Sequence, residues 1–141
     1  MNVKELMSDK PEYLSKSDNV QKAAQKMKSL DCGFIPVGDN DRLDGVVTDR
    51  DIVLRCVAEG KDATSVTCGD IISDRVLYCT EADNVEDVAR NMGEQQVCRL
   101  IVLNNKTDKR MTGVISLGDI SRCGSLDTLV GETNEHVKKA A

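Results

Sequence analysis

Residues 3–37, VKELMSDKPEYLSKSDNVQKAAQKMKSLDCGFIPV, align without a gap against residues 68–102, CGDIISDRVLYCTEADNVEDVARNMGEQQVCRLIV, at a constant shift of 65. Identical pairs run along the whole alignment: Ser8 with Ser73, Asp9 with Asp74, Tyr13 with Tyr78, Asp18-Asn19-Val20 with Asp83-Asn84-Val85, Ala24 with Ala89, and Met27 with Met92. So regular a series marks an internal duplication. After a turn three residues longer in the second copy, the match resumes at a shift of 68, with GVVTDRDI (45–52) against GVISLGDI (113–120). The extra residues fall in a loop, where insertion costs little. A copy of about 60 residues is marginal for folding alone, so two packed copies would bury apolar faces that neither covers by itself.

Period and punctuation give the elements of each copy. Val20, Ala23, Ala24, Met27 and Leu30 recur at helical spacing, as do Val85, Val88, Ala89 and Met92, each set predicting one buried helix face. Asp18 with Gln21, and Asp83 with Glu86, fit capping boxes at the helix starts. Short apolar runs follow, FIPV (34–37) and LIVL (100–103), each with a polar turn and a second run, LDGVVT or MTGVIS; these predict a hairpin-like strand pair. A second helix is expected from Thr48, with Ile52, Val53, Cys56 and Val57 inward and Gly60 as its stop, and its counterpart from Ser116. The order in each unit is strand or short helix, helix, strand, strand, helix, an α+β arrangement. The units are expected over 1–63 and 64–128, with residues 61–67 linking them and a polar, frayed tail over 129–141.

Composition narrows the function. The 141 residues hold 24 acidic and 19 basic side chains, 19 − 24 = −5 in formal charge, and their only aromatics are Tyr13, Phe34 and Tyr78. Neither a large cationic surface for nucleic acid or anionic membrane nor aromatic base stacking is expected. No apolar run reaches signal-peptide length or the ~20 residues that span a bilayer, so a cytoplasmic location is expected. The six cysteines, Cys32, Cys56, Cys68, Cys79, Cys98 and Cys123, form no Cys-x-x-Cys pair. They read as reduced, mostly buried and passive thiols, with no metal-ligand spacing.

The chemistry-bearing element is Gly-apolar-apolar-(Thr/Ser)-x-x-Asp, present as Gly45 to Asp51 and as Gly113 to Asp119. Thr48 and Ser116 fall at helix N-caps, with Asp51 and Asp119 three residues on. Taken alone that spacing is a capping arrangement worth ~1 kcal/mol. Its recurrence at the mouth of a strand pair suggests more. A helix N-terminus seats a phosphate, a hydroxyl donates to an anion, a carboxylate accepts from ribose hydroxyls, and apolar strands sandwich a flat base. A nucleoside phosphate uses all of these.

With these motifs the sequence resembles the tandem cystathionine beta-synthase (CBS) domain pair, or Bateman module, from about Val3 to Leu126; the stretch FIPVGDNDRLDGVVTDRDI is especially typical of a first repeat. The resemblance implies two β-α-β-β-α units related by a pseudo-twofold and packed through their sheets. It also implies adenosyl-ligand sites in the cleft between them, a homodimer, and sensing of AMP, ADP, ATP or S-adenosylmethionine. Carried over residue by residue, it implies that Thr48 and Asp51 hold the ribose and phosphate end at one site and Ser116 and Asp119 at the other. Ser15 and Thr80 would lie near the base. Phe34, Ile35 and Pro36, with Leu100 and Ile101, would line the base pocket, and Arg99 would reach a phosphate. Arg50 is expected to be exposed. The family's usual Thr-Pro after the first strand is Ser15-Lys16 here in one copy and Thr80-Glu81 in the other, and Phe34 is bulky enough to fill its own pocket.

Two functions compete. One is a stand-alone regulatory sensor of an adenosine-containing ligand, acting on an effector protein outside this chain. The other is a ligand-free dimerisation or interaction module whose corners only cap helices. An enzyme has little support: the single histidine, His136, lies in the polar tail, and no nucleophile and base pair can be built around it. No cofactor is required, and the small-molecule partner is the adenosyl ligand.

Overall fold

A computed structural model describes residues 1–122. In chain order they form a 3-10 turn (Val3–Glu5), α1 (Val20–Leu30), β1 (Phe34–Asp39), β2 (Arg42–Thr48), α2 (Asp49–Ile52) running into a π turn (Val53–Val57), α3 (Cys68–Ile71), β3 (Tyr78–Thr80), α4 (Val85–Gln95), β4 (Arg99–Leu103), β5 (Met111–Ser116) and α5 (Leu117–Ser121). The α+β class and the repeated order match the sequence expectation. Cys123, His136 and the tail lie outside the described residues.

The long helices start one residue later than the Asp18 and Asp83 spacing suggests. Asn19 caps α1, its side chain accepting the Lys22 N–H at 2.9 Å, and Asn84 caps α4, accepting from the Glu86 N–H at 2.8 Å. Asparagine caps as well as aspartate, which frees the aspartates to close the preceding turns. Asp18 accepts the Ser15 N–H at 2.8 Å and Asp83 the Thr80 N–H at 2.9 Å. Each helix ends on a left-handed residue, Asp31 or Gln96, which turns the chain out of the helix. On α4 the expected face is buried throughout, whereas on α1 only Val20, Ala23 and Met27 are, with Ala24 and Leu30 exposed. The buried stripe of α1 is thus narrower than its apolar pattern.

β1 and β2 pair antiparallel through Asn40 and Asp41, both at positive φ (54° and 66°), as a two-residue hairpin turn with the handedness of the strands requires. β4 and β5 repeat the hairpin with a longer turn, and β3 joins parallel to β4. In the first copy the counterpart of β3 shrinks to one parallel bridge, Leu14 to Val37.

The described residues divide into two compact units, one of Glu12–Val76 and the other of Met1–Pro11 with residues 77–122. These are not the linear halves 1–63 and 64–128: the segment that opens each copy packs with the body of the other. In the first unit Ser73 bridges to Val46, the Ser73 N–H donating to the Val46 carbonyl at 2.8 Å; in the second Ser8 bridges to Val114 in the same way at 2.8 Å. The motif glycines make room for these segments. A Cβ on Gly45 would stand 3.0 Å from the Ser73 carbonyl oxygen, and one on Gly113 only 2.5 Å from that of Ser8. The stretch 61–67, expected as a linker, is built into the first unit. Its Ala63 and Val66 pack on the core, and their carbonyls accept the Gln21 and Val20 N–H groups at the start of α1.

That core gathers Leu14, Val20, Ala23, Met27, Ile35, Val37, Val47, Cys56, Cys68 and Ile71. Around α2 the inward set is smaller than expected: Cys56 is buried and Ile52 partly so, while Val53 and Val57 are 54% and 64% exposed. Residues four apart share a helix face, so Ile52 and Cys56 form the inner edge and Val53 and Val57 lie one step round it. Gly60, at φ +69°, follows as the stop.

Five described cysteines are free thiols. Burial, aided by nearby Asp18, pushes Cys68 up to about 11, and burial with Asp83 pushes Cys79 up to about 12. Such thiols carry almost no thiolate at neutral pH and are chemically quiet. Cys98 departs from the expected burial and is exposed.

Candidate functional site

Both strand-to-helix corners are built alike. In the first unit Thr48 ends β2 and caps α2. Its Oγ1 accepts the Asp51 N–H at 3.0 Å, and Asp51 Oδ2 accepts the Thr48 N–H at 2.9 Å. In the second, Ser116 ends β5 and caps α5, with Oγ accepting from the Asp119 N–H at 3.2 Å and Asp119 Oδ2 from the Ser116 N–H at 2.9 Å. The next N–H, of Asp49 or Leu117, donates to the Gly33 or Cys98 carbonyl, each at 2.9 Å, and fixes the corner against the strand opposite. A hydroxyl that accepts in this way keeps a proton to donate.

Capping boxes also occur at Asn2 with Glu5 and at Thr67 with Asp70, and Ser15 with Asp18 and Thr80 with Asp83 share the spacing and one of the two bonds. Spacing alone therefore does not set one of them apart, but burial distinguishes two. Asp51 and Asp119 are each only 9% exposed, while Asp70 and Glu5 are exposed. A cap needs no buried carboxylate, and withdrawing one from water is costly unless it is well partnered. Asp51 Oδ1 lies 3.8 Å from Arg55 Nη1 and Asp119 Oδ1 3.6 Å from Arg122 Nη1.

The strands bring further expected residues to these corners. Phe34 pairs with Thr48 in the β1–β2 register, and Arg99 with Ser116 in the β4–β5 register. Each corner thus joins a hydroxyl, a carboxylate and a distinct third group, aromatic in one and cationic in the other. Successive strand residues point to opposite faces, so Phe34 and Pro36 share a face while Ile35 turns into its unit's core. Leu100 and Ile101 are buried opposite Ile115 and Val114. Thr80 is buried at the end of β3; Ser15 is exposed, its Oγ 2.7 Å from that of Ser17. Arg50 is exposed as expected. Arg55 was not among the expected site residues, and only its place one helical turn after Asp51 hinted at it.

Asp18, below the Ser15 turn, has its carboxyl held under the ordinary 3.8, chiefly by the Ser15 N–H bond; burial opposes this, and the hydrogen bond and charge of Lys22 add to the lowering. A depressed folded value means the stabilisation is present above the unfolded value and is lost as pH falls through the folded one. Asp18→Asn is therefore expected to melt below the wild type at pH 7, with the gap closing as pH drops below about 4. Melting curves across that range check it, and a gap that stays constant down to about pH 2 would refute the assignment.

A CBS-domain family model matches the chain twice, over residues 3–57 and 68–125. The chain belongs to the CBS domain family. Paired CBS proteins are regulatory modules. Uncharacterized protein YlbB of Bacillus subtilis (strain 168) is 37% identical over 140 residues, 98% of this chain and 87% of its own. Among solved structures, Hypoxic Response Protein I with two coordinated zinc ions superposes with a TM-score of 0.72 at 31% identity, over 87% of this chain and 98% of its own. The CBS domain pair of protein MJ0100, in complex with 5′-methylthioadenosine and S-adenosyl-L-methionine, does so with a TM-score of 0.65 at 25% identity, over 90% and 98%. Among the described residues of this CBS pair no group of three or more His, Cys, Asp or Glu is placed to hold a metal ion, and no helix is long and apolar enough to cross a membrane.

Proposed function

We propose that this CBS pair is a non-catalytic sensor of an adenosine-containing ligand, AMP, ADP, ATP or S-adenosylmethionine, taken up at its strand-to-helix corners. The observation that carries the reading is the pair of buried carboxylates, Asp51 and Asp119, each locked to a hydroxyl-bearing cap at equivalent places. Paired ribose hydroxyls are the complement of such a carboxylate, and the MJ0100 pair with its two adenosyl ligands supports the class. The corners differ in charge. The first carries Asp49 in the opening turn of α2 and Phe34 opposite Thr48, where the second carries Leu117 and Arg99. A phosphate is therefore favoured at the second corner and an uncharged or cationic tail at the first.

Titrating AMP, ADP, ATP, S-adenosylmethionine and NADH against the melting temperature tests this reading. At least one is expected to raise it saturably, by about 2.7 kcal/mol of stabilisation at a hundredfold excess over Kd. A flat response to all five would sink it.

The exposed Val53, Leu54 and Val57 favour a second reading, a homodimerisation or interaction module. On that reading corner variants lose modest stability and have no ligand response to lose.

A further inference from the structure

We propose that Arg55 is a positioning residue that ties the Thr48–Asp51 corner to residues 71–76, so that the state of the Asp51 carboxylate is transmitted to the stretch of chain leaving the first unit. Arg55 Nη1 donates to the carbonyls of Ile71 and Ile72, each at 3.0 Å. Those carbonyls lie where α3 ends, and the last carbonyls of a helix have no partner within it. The same nitrogen stands 3.8 Å from Asp51 Oδ1, beyond hydrogen-bond length but within ion-pair range. One guanidinium therefore answers both to the carboxylate and to the backbone 16 and 17 residues further on. Directly after those carbonyls, Ser73 pairs with Val46 on β2, the strand that ends in Thr48. Corner, arginine and segment thus close a loop within one unit.

Among the described residues the second corner shows no such tie. At the shift of 68 the counterpart of Arg55 is Cys123, and the cation beside Asp119 is Arg122, at 78% side-chain exposure and three residues from its partner. A ligand hydroxyl donating to Asp51 Oδ1 would compete with Arg55 for that oxygen and so alter its hold on the two carbonyls. A ligand on Asp119 would not.

The ligand arm of this proposal rests on the sensor reading; the first arm does not. Amide exchange at Ser73, whose N–H bonds the Val46 carbonyl, is followed by NMR on the full chain without ligand. Arg55→Gln is expected to speed it about tenfold. Asp51→Asn, which keeps a side-chain acceptor for the Thr48 N–H, is expected to speed it less, and the double variant no more than Arg55→Gln alone. Arg55→Lys, which keeps the charge and several donors but on a shorter side chain than the Nη1 that bonds both carbonyls, is expected to restore slow exchange only in part, and Asp119→Asn to leave Ser73 unchanged. Wild-type exchange in Arg55→Gln, or effects of Asp51 and Arg55 that simply add, would overturn the proposal.

In the second arm S-adenosylmethionine is the probe. It is expected to shift Ser73 exchange in the wild type and not in Arg55→Gln, while still raising the melting temperature of both. If it raises neither, an intact ligand-free cycle still upholds the Arg55 tie, and the sensor reading fails alone for this ligand. If it binds and shifts Ser73 equally in both proteins, the tie fails and the sensor reading stands.

Discussion

Gly113→Ala is expected to lower the melting temperature by about 5 to 10 °C, the effect of roughly 2 to 3 kcal/mol of overpacking. The new methyl would meet the Ser8 carbonyl oxygen at 2.5 Å and Met7 Sδ at 2.8 Å, and the oxygen belongs to backbone held by the Ser8–Val114 bridge. Gly45→Ala is expected to cost less. Its nearest neighbours are Ile72 side-chain atoms at 2.9 Å, which can turn aside, with the Ser73 oxygen at 3.0 Å. Thermal and urea melts of the two variants check the order. A Gly113→Ala protein as stable as the wild type would mean that the opening segment does not pack where it is placed.

Asp119→Ala is expected to erase whatever stabilisation a phosphorylated ligand gives, about 2.7 kcal/mol at a hundredfold excess over Kd, while costing the free protein only about 1 kcal/mol of lost capping. The difference arises because the cap is a single local hydrogen bond of modest net worth, whereas a ligand would meet the carboxylate as a buried acceptor with no substitute. Asp119→Asn separates the roles: the cap survives, since an amide oxygen also accepts the Ser116 N–H, and the charge does not. Asp51→Ala is expected to weaken a phosphorylated ligand less, because Asp49 and Phe34 already disfavour phosphate at that corner. Isothermal titration of the three variants with AMP measures this directly. Undiminished affinity in Asp119→Ala would place the ligand elsewhere or leave the corners as caps.

Much of this was legible in the sequence because it is local. The DNV triplets, the apolar stripe of α4, the two hairpins and the Thr48–Asp51 and Ser116–Asp119 boxes all follow from residues within a few positions of one another. The cap assignment missed by one residue because Asp18 and Asn19 are equally good caps, and only the turn bond to Ser15 decides between them. Val53 and Val57 were read inward because an apolar pattern does not say which of two adjacent i, i+4 edges finds a partner. Arg55 was invisible for a different reason: its acceptors are carbonyls, which every residue has, brought near by a fold that no spacing encodes. The packing of each opening segment was hidden likewise, since an alignment reveals what is copied but not which copy such a segment will choose.

That choice has a practical corollary. The stretch that recurs along the polypeptide and the body that folds in space are out of phase, so a cut at the apparent repeat junction would sever each body from a piece of itself. Residues 12–76 alone form a continuous length with one body whole. A split-protein or domain-grafting design should break the chain at the ends of that length.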